Sequence, residues 1–270
     1  MTILVAGATG TVGSEIVRQL AEAGEKVRAL TRNPAAARVP DGVEVAFGDL
    51  TVPETLAPAL DGVTAMHLIT FGGDADLQTG PEIVELAGRA GVRRISVLGS
   101  FYEGGVEAAL RAGDIGWTHL RPVGFMANAL AWAPSVREQG VVEVFGNLPG
   151  AVVHEADIAA VGVRALLEDG HAGAAYTITG PAAITPEEQV RILGAGIGRE
   201  LRFVQLTGEQ LRVQMEAAGA DEEYIEFALL LGVAPPAEGG TVLPTVQEVT
   251  GRPARTFAQW VDGHADAFRP

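Results

Sequence analysis

The sequence has no cysteine and only one lysine, Lys26, among its 19 basic residues, the rest being arginine. Without cysteine there can be no disulfide, no thiolate-held zinc or iron–sulfur cluster, and no thiol nucleophile. One lysine excludes both a Walker A lysine and a Tyr-x-x-x-Lys pair, and a Schiff-base mechanism would depend on Lys26 alone. Positive charge is scarce overall. The 19 basic residues face 34 acidic ones, for a net charge of −15, which opposes binding to nucleic acid or to an anionic membrane. No apolar run approaches the roughly 20 residues that a membrane span needs. The opening "MTILVAGATG" has neither a basic leader nor a small-residue cleavage site, so a cytoplasmic location is the expectation. No His/Asp/Glu group has metal-ligand spacing, and no metal is expected. The expected partner is a small-molecule substrate, with no nucleic acid and no membrane; a homodimer is left open.

The chain does have the pattern of an α/β protein. At 270 residues and 47% hydrophobic content it is long and apolar enough for a sizeable core. "TILVA" (2–6) is a short β-branched run that stops at Gly7, and Val12, Ile16, Leu20 and Ala23 then recur at helical spacing. Further strands are predicted at 26–31, 43–47, 63–70, 94–100 and 117–122, with helices at 53–60, 78–90 and 104–113 between them. This alternation implies a parallel sheet covered on both faces, a Rossmann-type doubly wound α/β fold. After Pro122 the predicted order is a helix near 127–139, a helix at 156–168, the strand "AAYTIT", a capped helix from "TPEEQVRIL", the strand "LRFVQL" and two helices to about 232. "GVAPPAEGG" reads as a loop and "ARTFAQWVDGHADAF" as a closing helix. Residues 1–150 are expected to form the nucleotide-binding domain, also receiving part of 151–180, and 151–270 mainly a substrate-binding region.

"GATGTVG" places Gly7, Gly10 and Gly13 directly after a strand and at the opening of a helix. Gly7 can make the tight turn, Gly10 lets a pyrophosphate approach the backbone, and Gly13 lets the helix pack closely, with phosphates at the helix N-terminus. Thr9, Thr11 and Val12 belong to the same turn. An NAD site calls for an acid near the end of the second strand; this chain has Thr31 and Arg32 instead. A carboxylate would repel a 2′-phosphate, whereas a guanidinium can hold it with two hydrogen bonds, so NADP(H) is favoured over NAD(H). Asp49 and Leu50, after the third strand, are further cofactor candidates, Asp49 as an acceptor for the adenine amino group or as a simple turn residue. Thr70, Ser100 and Pro122, at the ends of later strands, complete the expected cofactor set.

Taken together, "GATGTVGSEIV", "TRNP", "GDL", "WTHLRPVGFMAN" and "HEADIA" resemble the NmrA-like branch of the atypical short-chain dehydrogenase/reductases. The resemblance covers most of the chain in the right order. It implies a Rossmann domain with a smaller, interleaved C-terminal substrate region, and it spans both NADPH-dependent quinone reductases and redox-sensing regulators. In the family, the segment between the fifth strand and the helix bearing the E-x-x-L pattern, here Glu107–Leu110, is longer and often holds a lysine or histidine. Here it is shortened to "FYEGGV" and has neither.

That shortening bears on the choice of reaction. Hydride transfer needs only the nicotinamide and a pocket that holds the acceptor against it. A small conjugated carbonyl or quinone-like acceptor can take its proton from water or from a weak donor, and such a reductase is the expected activity. A dinucleotide-sensing regulator and a non-redox isomerase or cyclase share the same glycine loop. The catalytic candidates are Tyr102, Ser100 and His154, and the substrate-binding candidates Tyr102, Phe125, Met126, Asn128 and His154. Tyr102 lacks a neighbouring lysine to lower a phenol pKa of about 10. His154 precedes a helix that Asp157 is placed to cap, and His67 and His119 fall inside strands as core residues.

Overall fold

The computed structural model describes residues 1–72, 75–101 and 104–269. In chain order the elements are β1 (Thr2–Val5), α1 (Thr11–Glu22), β2 (Lys26–Thr31), β3 (Glu44–Phe47), β4 (Val63–Ile69), β5 (Phe71–Gly72), β6 (Ala75–Asp76), α2 (Gly80–Arg89), β7 (Arg94–Leu98), α3 (Gly105–Ala112) and β8 (Gly116–Pro122). They continue with α4 (Ala133–Gln139), β9 (Val141–Phe145), α5 (Glu155–Leu167), β10 (Ala174–Ile178), α6 (Pro186–Ile197) and β11 (Arg202–Leu206). The last helices are α7 (Gly208–Ala217), α8 (Glu222–Val233), α9 (Ala237–Gly240), α10 (Thr245–Thr250) and α11 (Phe257–His264). The chain divides into two compact units. The first comprises Met1–Pro122, Glu155–Ile178 and Thr245–Arg252, and the second the remainder.

The first unit is built on a seven-stranded sheet in the order β10-β8-β7-β4-β1-β2-β3, every neighbouring pair parallel. The order reverses between β1 and β4, the switch point at which open α/β sheets bind ligands beyond the strands' carboxyl ends. Being covered on both faces, β4 reads as a nearly continuous apolar run. Met66 and Leu68 join Leu4, Ile95, Val97, Ile83 and Leu110 in one core. On the opposite face Gly162 of α5 fits against Leu120 and Ile16, and α5 packs on α1. A fully buried side chain of this size contributes about 1.5–3 kcal/mol, so the sheet is held firmly from both sides.

The second unit has a parallel two-stranded sheet, β9 with β11, and a core that includes Met126, Val136, Leu193, Trp260 and Phe268. Thr256 starts α11 with a capping box closed by Gln259, and Trp260 stacks on Phe257 and His264.

Several segments differ from the sequence expectation. The predicted helix 53–60 is one 3-10 turn, Pro53–Leu56, still burying Leu56 and Leu60. The helix predicted near 127–139 divides into a 3-10 stretch, Met126–Trp132, and α4. The strand β9 and the helix α10 had no sequence assignment, and the "GVAPPAEGG" loop contains α9. Since α5 begins at Glu155, Asp157 stands inside its first turn rather than before it. Among the described residues no helix is long and apolar enough to cross a membrane, and no His/Asp/Glu group could hold a metal ion.

Candidate functional site

The turn after β1 is shaped by its glycines. Gly7 adopts φ +63, a left-handed conformation that L side chains rarely enter. Its carbonyl accepts the Gly10 N–H at 2.9 Å, and the Gly10 carbonyl accepts the Ser14 N–H at 2.9 Å, so turn and helix are one continuous hydrogen-bonded ladder. A Cβ on Gly13 would lie 2.0 Å from the Gly7 oxygen, which makes Gly13 the point where α1 presses on the turn itself. Thr9, Gly10 and Thr11 are exposed, and Val12 is buried and can offer a ligand only its backbone. No side chain caps α1 and its first turn carries no acid. Its free N–H groups and positive dipole end are therefore open to an anion.

At the end of β2, the Thr31 hydroxyl accepts the Asn33 N–H at 3.1 Å, and Arg32 is exposed beyond it. Asp49 Oδ1 accepts both the backbone N–H and the hydroxyl of Thr51, at 2.9 and 2.7 Å. Those bonds, with the nearby charge of Arg32, hold the Asp49 carboxyl below the usual carboxylate range. Asp49 is thus a turn residue with one oxygen committed. Leu50 is buried, and its carbonyl accepts the Thr79 hydroxyl at 2.5 Å.

The carboxyl ends of β4, β7 and β8 bring Thr70, Gly99, Ser100, His119, Arg121 and Pro122 to one edge. Thr70 is buried, its N–H donating to Leu98 and its carbonyl accepting from Leu77. Gly99 stands where a Cβ would approach Glu107 Oε1 to 2.5 Å, His119 Nε2 to 2.8 Å and Thr70 Cγ2 to 3.2 Å. Glu107 Oε2 accepts the Gly104 N–H at 3.1 Å and closes the start of α3, while its other oxygen lies 3.5 Å from His119 Nε2. Burial, helped by the charges of Arg121 and Arg111, pushes His119 down to about 4. His67 is fully buried, bonded through Nδ1 to the Ser96 hydroxyl at 2.8 Å, and pushed down to about 3 by desolvation. Both histidines are core residues, as expected, and neutral at pH 7.

Sequence reasoning passed over Arg121. Its guanidinium carbon lies 5.8 Å from the Phe101 ring centroid, and its Nε is buried with no hydrogen-bond partner. The alternation in "WTHLRP", which puts Trp117, His119 and Arg121 on one strand face, was the available signal. Tyr102, the leading catalytic candidate, lies outside the described residues.

In the second unit, Phe125 bridges to Val153, and the Met126 N–H donates to the Val153 carbonyl at 3.0 Å. Met126 is buried in that unit's core, so its side chain packs there, whereas Asn128 is exposed. His154 is half-buried, its ring 6.3 Å from that of His264. An open depression of about 590 Å³ lined by α6 and β11, including Arg191, Arg199 and Phe203, contains none of the candidate residues.

Comparison with known proteins fits this geometry. Residues 7–106 match a family model described as NAD(P)H-binding. The chain is 39% identical, across 99% of both chains, to the (4-alkanoyl-5-oxo-2,5-dihydrofuran-3-yl)methyl phosphate reductase of Streptomyces griseus. It is 38% identical to the NAD(P)H azoreductase of Xenophilus azovorans, across 98% of this chain and 99% of that one. Among solved structures, an NADPH-dependent quinone oxidoreductase from Escherichia coli, complexed with NADPH, matches with a TM-score of 0.80 at 25% identity, covering 97% of this chain and 99% of that one. The triphenylmethane reductase of a Citrobacter species shares the fold, with a TM-score of 0.81 at 23% identity over 98% of this chain and all of that one.

Proposed function

We propose, from the premise that the chain belongs to the NmrA-like branch of the atypical short-chain dehydrogenase/reductases and is an NAD(P)H-dependent oxidoreductase, that it prefers NADP(H) and reduces a small conjugated carbonyl or quinone-like acceptor. The observation that carries the reading is the glycine turn: an uncapped helix start with no acid in its first turn and an exposed Gly10 fits a pyrophosphate. Arg32, exposed at the end of β2 with no acid in the NAD-selecting position, supports NADP(H). Bound there, the cofactor supplies a hydride.

The chain's own residues then bind and orient. Gly7, Thr9, Gly10, Thr11, Val12 and Gly13 hold the phosphates, Thr31 and Arg32 the 2′-phosphate end, Asp49 and Leu50 the adenine, and Thr70, Ser100 and Pro122 the nicotinamide end. Within the second unit, Phe125, Asn128 and His154 are the substrate-binding candidates, and Met126 packs in that unit's core. His67 and His119 are neutral at pH 7 and so are not proton donors. That favours acceptors whose reduced form takes its proton from water, as a conjugated carbonyl or quinone does. Three relatives named as a furanone phosphate reductase, an azoreductase and a quinone oxidoreductase support the same class.

The test is cofactor consumption, NADPH against NADH, over a panel of quinones, enones and azo dyes. NADPH-selective turnover of at least one conjugated acceptor is expected. No turnover of any acceptor would remove the acceptor class, and equal use of NADH would remove the cofactor preference.

A further inference from the structure

We propose that Arg121 is an anion-recognition residue of the acceptor site, holding an oxyanion substituent such as a phosphate, sulfonate or carboxylate on the molecule to be reduced. The inference rests on the reductase reading and narrows its acceptor. Arg121 is the penultimate residue of β8, at the sheet edge where Thr70, Gly99 and Ser100 also end their strands. Its environment differs from that of the seven arginines that pair with a carboxylate, Arg18, Arg28, Arg89, Arg94, Arg164, Arg212 and Arg269, and from that of Arg137 and Arg199, which donate to backbone carbonyls.

Arg121 is half-buried, yet no ion pair or hydrogen bond holds it among the described residues, and its Nε–H is out of water. Among the described residues, the guanidinium lies over the Phe101 ring, 5.8 Å from its centroid. A buried donor without an acceptor carries a desolvation cost, which a bound oxyanion would relieve by accepting from the fork with two hydrogen bonds.

The neighbours favour the same ligand. Two residues earlier on the same strand face, His119 keeps its Nε2 buried and without a hydrogen-bond partner. Being neutral, it neither competes for an anion nor cancels the charge of Arg121. In a chain of net charge −15, a half-buried cation at the carboxyl edge of the sheet is set against the field of the rest of the protein. The shortened segment after β7 has no cation in its sequence, and β8 sets Arg121 beside Phe101, its first residue.

The experiment compares a naphthoquinone sulfonate with a neutral methyl naphthoquinone, using the whole chain and saturating NADPH. In Arg121→Gln the ratio of kcat/KM, sulfonated over neutral, should fall about 10- to 100-fold; in Arg121→Lys, which keeps the charge, most of the ratio should survive. Binding is measured separately by calorimetry of NADP⁺-loaded protein with naphthalene sulfonate and naphthalene methanol, neither of which can be reduced. The wild type should bind the sulfonate more tightly, and that preference should shrink with added salt and vanish in Arg121→Gln. If the wild type reduces neither quinone but still binds the sulfonate through Arg121, the acceptor reading fails and the anion site stands. Equal losses for both quinones, no preference for the sulfonate, or a matching loss of NADPH affinity in Arg121→Gln would each overturn the proposal, the last by assigning the cation to the cofactor.

Discussion

Gly10 and Gly13 lie three residues apart in one motif, yet the structure gives them separable roles. At Gly13 an added methyl would sit 2.0 Å from the Gly7 oxygen and 2.6 Å from the Gly7 carbonyl carbon. Favourable non-bonded contacts need roughly 3.5 Å, so helix and turn would have to part by about 1 Å or more. Both are backbone, and no rotamer can absorb the overlap. Overpacking of this kind costs about 1–3 kcal/mol, and Gly13→Ala should reach the upper end because the strand feeding the turn is buried on both sides. At about 2–4 °C per kcal/mol for a chain of this size, the melting temperature should fall by roughly 6–12 °C. NADPH affinity should fall with it, because the helix N-terminus is displaced.

Gly10 contrasts on each point. It has an extended backbone, φ −87 and ψ 175, which any residue can adopt, and an added Cβ would meet only the Gly7 oxygen at 3.2 Å. Gly10→Ala should cost at most about 1 kcal/mol, the difference between glycine and alanine as a helix N-cap. Its methyl would project from an exposed turn into the space a phosphate needs, so NADPH affinity should drop at least about tenfold, or 1.4 kcal/mol. Thermal melts of the apo protein, paired with fluorescence titration of NADPH, separate the two cases. A Gly13→Ala variant that melts like the wild type, or a Gly10→Ala variant that binds NADPH normally, would refute the assignment of packing to one glycine and ligand approach to the other.

Arg32→Ala should weaken NADPH by about 1.5–3 kcal/mol, the scale of a charge-assisted pair, and leave NADH binding nearly unchanged; equal losses in parallel titrations would show that Arg32 does not meet the 2′-phosphate. Stability should fall in mild acid, because His67 and His119, held at about 3 and about 4, stay neutral in the folded chain while their unfolded counterparts protonate below about 6.5. Their contribution is complete above pH 6.5 and is lost at about 1.4 kcal/mol per pH unit per histidine as the pH falls, or about 4 kcal/mol for the pair at pH 5. In denaturant melts at pH 7, 6 and 5, His119→Gln should have a shallower slope than the wild type, and an unaltered slope would count against burial as the cause. Tyr102→Phe should slow reduction less than tenfold, since no lysine lowers its pKa; a loss of 10² or more in kcat with NADPH binding intact would make the phenol an acid catalyst.

What could be read from the sequence depended on whether a residue's environment comes from nearby in the chain. β1, β4 and β7 were legible because strands buried on both faces are apolar runs, β2 because "KVRALT" alternates, and the Gly7–Gly13 turn because its geometry is set within seven residues. β9, "VVEVF", was missed. It follows Gly140, the left-handed cap of α4, and pairs with β11 some 60 residues later, a partner that no local pattern announces. Residues 53–60 bury Leu56, Ala59 and Leu60 as an amphipathic helix would, but Pro53 opens a short 3-10 turn and the apolar spacing is satisfied without a helix. Asp157, expected at the start of the helix, stands in its first turn because α5 begins two residues earlier, and boundaries are the part of an element that periodicity fixes least.

The candidate site shows the same division. The turn proposed to bind phosphates lies in consecutive residues and its shape was legible; the strand ends proposed to meet the acceptor come together only in the folded sheet. "LRP" by itself marks Arg121 only as a strand residue, because its surroundings come from Phe101, 20 positions earlier. The segment after β7 has no cation, yet that edge carries positive charge, since the parallel register setting Leu98 beside Leu120 brings Arg121 one step beyond it. A guanidinium fixed on a strand differs chemically from a lysine on a loop. Its pKa is too high to release a proton at neutral pH, so it can hold charge but cannot act as an acid. A cation of this type in this place thus suits recognition of an anion rather than protonation.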